Sequence, residues 1–213
     1  MPEEFHTYPA RLEVDYPDTL DRLTTFFRLF CIIPIAIILS LLTASGGTHV
    51  VTETGETIRN TGGGIEGGLA IATALMILFR QRYPRWWFEF ARELARFGAR
   101  VTAYGALLTD RYPSTEDEQS VHLDIDYPNV ERDLNQWLPL VKWFLAIPHY
   151  IALIVLAIGA IVAIAIAWFA IVLTGNYPRG LFDFVVGVGR WGLRVQAYAF
   201  LLVTDEYPPF TLD

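Results

Sequence analysis

A chain of 213 residues, 53% apolar, 14% aromatic and only 18% charged, with a mean hydropathy of +0.35, is too apolar for an ordinary soluble domain, where about a quarter of residues carry charge. The net charge of −7 argues against a nucleic-acid partner, and the lone cysteine, Cys31, excludes an internal disulfide and a cysteine-rich metal site. An integral membrane protein is the class that remains.

The opening Met-Pro-Glu-Glu-Phe-His lacks the charged, apolar, small-residue order of a leader, so no cleaved signal peptide is expected. Residues 10–16 and 121–127 alternate in part between apolar and polar side chains and end in Tyr16-Pro17 and Tyr127-Pro128. Each reads as a short extended segment at the membrane surface, expected to pair with the tails that carry Tyr112 and Tyr207. A helix is expected from about Asp18, wholly apolar over 29–42, with Arg28 at its boundary and Pro34 inside. Residues 46–64 are polar and glycine-rich and read as a loop. The next apolar run, 65–79, would cover only about 23 Å as a helix, short of the hydrocarbon core of about 30 Å. Either the glycines at 62–68 join the helix or the hairpin enters without fully crossing.

Residues 83–108 recur 94 positions later, with 13 identities in 26 residues. Tyr83-Pro84-Arg85 matches Tyr177-Pro178-Arg179; Arg96, Gly98 and Arg100 match Arg190, Gly192 and Arg194; Leu107 and Leu108 fall on Leu201 and Leu202. One inserted residue later, Thr109-Asp110 matches Thr204-Asp205. Upstream, Leu12 to Pro17 reappears as Leu123 to Pro128, and Arg28 with Pro34 as Lys142 with Pro148. The pattern predicts a tandem duplication, with one membrane repeat over 1–113 and another over 114–213, joined by an acidic linker at about 114–120. The second repeat lacks the glycine-rich loop. Residues 149–173 could form one span, but a polar loop can be gained or lost only at a hairpin tip, so a tight hairpin turning near Gly159 is favoured.

Under that model 15 of the 16 Lys and Arg residues lie on the side of the termini, which places both termini in the cytoplasm and the protein as multi-pass in the cell (inner) membrane. The expected fold is all-α, of two tandem parallel repeats. Each holds a short extended segment, a kinked transmembrane or re-entrant helical hairpin, and an amphipathic interfacial helix.

The recurrent helix places Arg85, Arg96 and Arg100, and in the second half Arg179, Arg190 and Arg194, on a polar stripe opposite aromatic residues. Lipid-headgroup contact is the functional reading of these six; a solvated or internally paired face, including Arg85 with Glu89 and Arg179 with Asp183, is the plainer one. Seven of ten tyrosines precede proline. Among them Tyr83, Tyr112, Tyr127, Tyr177 and Tyr207 read as interface corners, the ring apolar and the hydroxyl wet. Gly187, Gly189 and Gly192 fit the dinucleotide-binding spacing, but they fall in mid-helix, where close helix packing explains them better. His149 and Glu66 stand alone in apolar runs, and no catalytic group, metal site or cofactor site assembles from the sequence.

The runs at 176–184, 194–198 and 204–210, with Ile-Pro-His-Tyr at 147–150 and Ala-Trp-Phe-Ala-Ile at 167–171, resemble a bacterial integral-membrane family known as domain of unknown function 4389. The resemblance is strong over about 120–213 and looser in the first half, where Trp86-Trp87 and the glycine-rich loop depart from it. It implies the membrane class and supplies no mechanism. The expectation is a non-enzymatic membrane subunit, scaffold or lipid-organising module, with membrane lipids and a protein partner or second copy around it; a small channel or transporter using the hairpin interface is the alternative.

Overall fold

The computed structural model describes residues 8–43, 48–51, 57–60, 64–115, 117 and 119–213, and they are mostly helical. Strand β1, Ala10–Val14, pairs with β4, Val121–Ile125, in an antiparallel ribbon centred on Leu12 opposite Leu123. The expected pairing of these strands with the Tyr112 and Tyr207 tails is thereby corrected. On β4, Val121, Leu123 and Ile125 are buried while His122 and Asp124 are exposed. That period of two fits a ribbon with one face on the core.

Helix α1, Arg22–Thr43, contains Pro34 and bends by 52° between its Arg22–Arg28 and Phe30–Thr43 parts. The bend sits one turn before the proline, which removes one N–H from the helix ladder and crowds the carbonyl four residues back. Within the stretch read as a loop, strands β2, Thr48–Val51, and β3, Thr57–Asn60, form an antiparallel hairpin; threonine and valine favour strands. The rest of that loop lies outside the described residues. Helix α2 runs Gly64–Arg80, so Gly64, Gly67 and Gly68 do join the helix, and it reaches about 26 Å. The side chain of Glu66 lies outside the described residues.

The tyrosine-proline pairs punctuate the chain as expected. Tyr83-Pro84 precedes α3, Arg85–Gly105, and Tyr177-Pro178 precedes α7, Arg179–Gln196, each with its proline at the helix N-cap. Between them lie two single-turn helices, α4, Val130–Asp133, and α5, Lys142–Leu145, and a 3-10 turn at Leu138–Leu140.

The hairpin expected at Gly159 does not form. Helix α6 runs unbroken over Ile147–Thr174, about 42 Å long. A glycine flanked by isoleucine and alanine offers no turn chemistry, and its helix penalty of about 1 kcal/mol is smaller than that of exposing unpaired backbone in an apolar setting. The helix stops at Gly175, left-handed at φ 80°, whose N–H bonds to Ile171 O at 2.7 Å. Pro148 is correspondingly not a kink but sits in the first turn of α6. A hairpin in each half loses its footing, and the alternative of a channel using the hairpin interface loses one of its two hairpins.

Residues 197–201 form a π turn directly after α7. It absorbs the one-residue insertion: Leu107 and Leu202 both take left-handed backbone angles, φ 64° and 56°, so Leu107 corresponds to Leu202, one position later than the sequence match placed it.

Helix α6 packs on α7 and α1, α7 on β1, and α3 on α1 and β4. Indole N–H groups tie helix pairs: Trp87 Nε1 donates to Thr73 Oγ1 at 2.9 Å, Trp168 Nε1 to Thr25 O at 3.2 Å, and Trp191 Nε1 to His149 Nδ1 at 3.0 Å. His149 is fully buried, with Phe210 stacked on it. Among the described residues α6 is the helix long and apolar enough to cross a membrane, joined by α1 if its bent halves count as one span. Only 17% of the most apolar stretch of α6 is buried against the chain.

Candidate functional site

The ribbon explains where two of the six recurrent arginines go. Asp15 N donates to Ser120 O and Asp126 N to Pro9 O, both at 2.9 Å, so hydrogen-bonded pairs alternate and Leu12 with Leu123 is a non-hydrogen-bonded pair. Their carbonyls point away from the ladder, and a two-stranded ribbon has no third strand to receive them. Arg190 Nε donates to Leu12 O at 2.9 Å; Arg96 donates from Nε and Nη2 to Leu123 O at 3.2 and 3.0 Å. Each helix therefore clamps the strand that belongs to the other half of the chain.

The other recurrent arginines behave in the same paired way. Arg100, buried, donates to Ser114 O, and Arg194 to Thr211 O and Asp213 O. Desolvation lowers the pKa of Arg194, with Arg190 nearby adding to it and Tyr8 and Asp213 opposing. Arg85 and Arg179 are exposed and lie over Tyr127 and Tyr16, guanidinium carbon to ring centroid 5.2 and 4.6 Å. Arg179 also approaches Asp183 at 3.8 Å; Arg85 makes no matching pair with Glu89.

The tyrosines join the halves too. Tyr127 Oη donates to Tyr83 O and Tyr16 Oη to Tyr177 O. Tyr83 and Tyr177 mark corners, but not wet ones: both are buried, 3% and 1% exposed, packed edge-on against Phe88 and Phe182. Tyr112, Tyr127 and Tyr207 remain partly exposed, and Tyr207 Oη donates to Leu145 O at 3.0 Å.

Burial pushes the Tyr83 phenol up to about 12, with the Thr73 hydrogen bond opposing and Tyr127 adding, and burial alone does the same at Tyr177, also about 12. Both folded-state values exceed the unfolded value of 10.0. The stability tied to them is whole below that pH and is lost as pH rises through 10 to 12. Melts recorded from about pH 9 to about pH 12 should fall steeply, and less steeply in the Tyr83→Phe, Tyr177→Phe double variant.

Two residues that the sequence marked as recurrent but left without partners form the most buried charged sites among the described residues. Lys142, 0% exposed, donates to Thr204 O at 2.6 Å, pairs with Asp205 at 2.7 Å, and lies 5.0 Å from the Tyr198 ring centroid. Arg28, 2% exposed, donates to Tyr104 O at 3.3 Å and to Thr109 O, pairs with Asp110, and lies 4.3 Å from the Tyr104 ring. The repeated Thr-Asp was the signal: its aspartate meets the cation and accepts from a backbone N–H, Asp21 N to Asp110 and Asn135 N to Asp205.

Between α3 and α7, beneath the ribbon, lies an apolar cavity of about 420 Å³ with Leu39 and Thr43 of α1 at one end. Close helix packing does not account for the three glycines: the neighbours of two of them are the C-terminal tail and β1, and the third has none. A Cβ on Gly187 would meet Leu212 O at 2.7 Å and one on Gly189 would meet Leu12 at 3.3 Å, whereas Gly192 faces open space. Among the described residues no three His, Cys, Asp or Glu side chains gather as metal ligands.

No curated protein and no solved structure matches the chain. Lys142, His149, Trp191 and Asp205 all fall within residues 139–211, which match the family model described as Domain of unknown function (DUF4389), the family that the sequence resembles.

Proposed function

We propose that the chain is a non-enzymatic integral membrane module, a scaffold or lipid-organising subunit of a larger membrane assembly, built by tandem duplication around a pseudo-two-fold axis through the ribbon. The observation that carries it is a division of surface. Large apolar side chains stand out from α1, α2 and α6, with Phe30 70%, Phe79 77% and Leu173 73% exposed, while the recurrent cations of α3 and α7 are engaged by backbone, carboxylate or ring. An apolar surface spread over three helices exceeds what a soluble monomer leaves bare. Hydrocarbon is the solvent that suits it.

The duplication is supported by contacts made twice with partners exchanged: Arg96 with Leu123 and Arg190 with Leu12, Tyr127 with Tyr83 and Tyr16 with Tyr177. Both described ends lie together, since Tyr8 Oη is 3.3 Å from both Arg194 O and Glu206 O. The reading therefore keeps both termini on one face, the cytoplasmic one. Headgroup contact narrows to Arg85 and Arg179, which are exposed beside the chain's apolar face.

Extraction from native membranes in mild detergent, followed by native mass spectrometry, should yield a discrete homo-oligomer or a stoichiometric complex that retains phospholipid. A lipid-free monomer that fails to float with liposomes would contradict the reading.

A further inference from the structure

We propose that the cavity between α3 and α7 holds one fatty acyl chain of a membrane lipid, entering past the end of α1. The inference rests on the reading of α1 as lipid-facing. The walls are small residues, chiefly Ala95, Gly98 and Ala99 on one side and Gly189 and Gly192 on the other, with Leu12 and Leu123 as the roof.

Glycines at a helix crossing normally let backbones touch. Here a Cβ on either Gly98 or Gly192 would meet nothing within 4 Å, so the two corresponding glycines line a space instead of closing it. At about 420 Å³ that space has the volume of a small-molecule site. Left vacant, it would forfeit the dispersion contacts of its whole lining.

Three features select an acyl chain. The lining is almost wholly aliphatic, with no charged side chain among its residues. Leu39 and Thr43 of α1 form one end, and the neighbouring Ile38, Leu41 and Leu42 are 47%, 72% and 39% exposed, so the opening is continuous with the surface assigned to hydrocarbon. Thr102 and Gln196, at corresponding positions of the two helices, bring a hydroxyl and an amide that make no hydrogen bond within the described residues. Gln196, which also lines a small pocket with Leu94 and Ala95, can donate from its amide to the ester carbonyl at the head of the chain.

The test uses cis-parinaric acid, a fluorescent fatty acid, titrated into the full-length protein in amphipol. Wild type should bind one equivalent saturably. Gly98→Leu and Gly192→Leu, which fill the space from opposite walls, should each weaken binding at least about tenfold, a step of about 1.4 kcal/mol, with melting temperature unchanged or raised. Absence of saturable binding in wild type, or undiminished binding in both folded variants, would overturn the proposal. Liposome flotation of the same variants separates the two readings. If the proteins float yet bind no fatty acid, the cavity proposal alone fails; if wild type does not float, the membrane reading fails.

Discussion

Lys142→Met is expected to destabilise the protein by about 3 to 5 kcal/mol, the range for removing one partner of a buried ion pair. Methionine fills a similar volume, so little of the loss comes from packing. The Thr204 carbonyl loses its donor, and Asp205, 21% exposed, is left with Asn135 N and no cation. Adding Asp205→Asn should recover part of the loss, because the uncompensated carboxylate goes with it. The pH dependence carries a further sign. Burial lowers the pKa of Lys142 from 10.5, with Asp205 only partly offsetting it. Between the folded value and 10.5 the unfolded chain therefore binds more protons, and this residue's linkage raises stability as pH rises. The gap between wild type and Lys142→Met should widen toward alkaline pH, where an ordinary exposed ion pair would narrow it. Urea unfolding of the detergent-solubilised protein at several pH values reads both effects.

The second large effect is expected at the ribbon. Arg96→Met and Arg190→Met each strip the charged donor from an outward carbonyl, worth about 1.5 to 3 kcal/mol apiece. A two-stranded ribbon is marginal by itself, so losing both anchors should cost more than losing either one. In the double variant, hydrogen exchange at Arg11, Glu13, His122 and Asp124 should rise toward that of an unfolded segment, while α6 stays protected. Arg85→Met with Arg179→Met serves as the contrast. Both side chains are exposed over tyrosine rings, so ribbon protection should survive, and any change should appear in binding to anionic liposomes.

The contrast between those two pairs marks how far the sequence could be read. The recurrence at 94 residues identified every arginine involved, because a side chain needed at two equivalent places leaves two copies. It could not separate Arg96 from Arg85, since both lie on one polar helical stripe. What separates them is the strand passing over one and missing the other, a long-range pairing of β1 with β4 that no local period encodes. The buried tyrosines are the same case: Tyr-Pro located the corners at 83 and 177 from backbone constraint alone, while the burial of the rings depends on Phe88, Phe182 and the opposite strand end.

The second half misled for a different reason. A turn at Gly159 requires equivalent segments to keep equivalent conformations, and here they do not. Residues 148–157 correspond to the outer part of α1 and 158–174 to α2, yet without a polar loop between them nothing breaks the helix, and backbone hydrogen bonding makes one continuous rod. Lys142 and Arg28 were visible as recurrent, as was Thr-Asp. Their meeting needed the tertiary fold.

The account depends most on α6 lying in hydrocarbon while the ribbon stays in water. A nitroxide at Ile158, 60% exposed in mid-α6, and another at Asp124 on the ribbon, each in protein reconstituted into nanodiscs, can be compared for collision with oxygen and with a polar nickel chelate. Oxygen should dominate at position 158 and the chelate at 124. Chelate access at 158 equal to that at 124 would contradict the account.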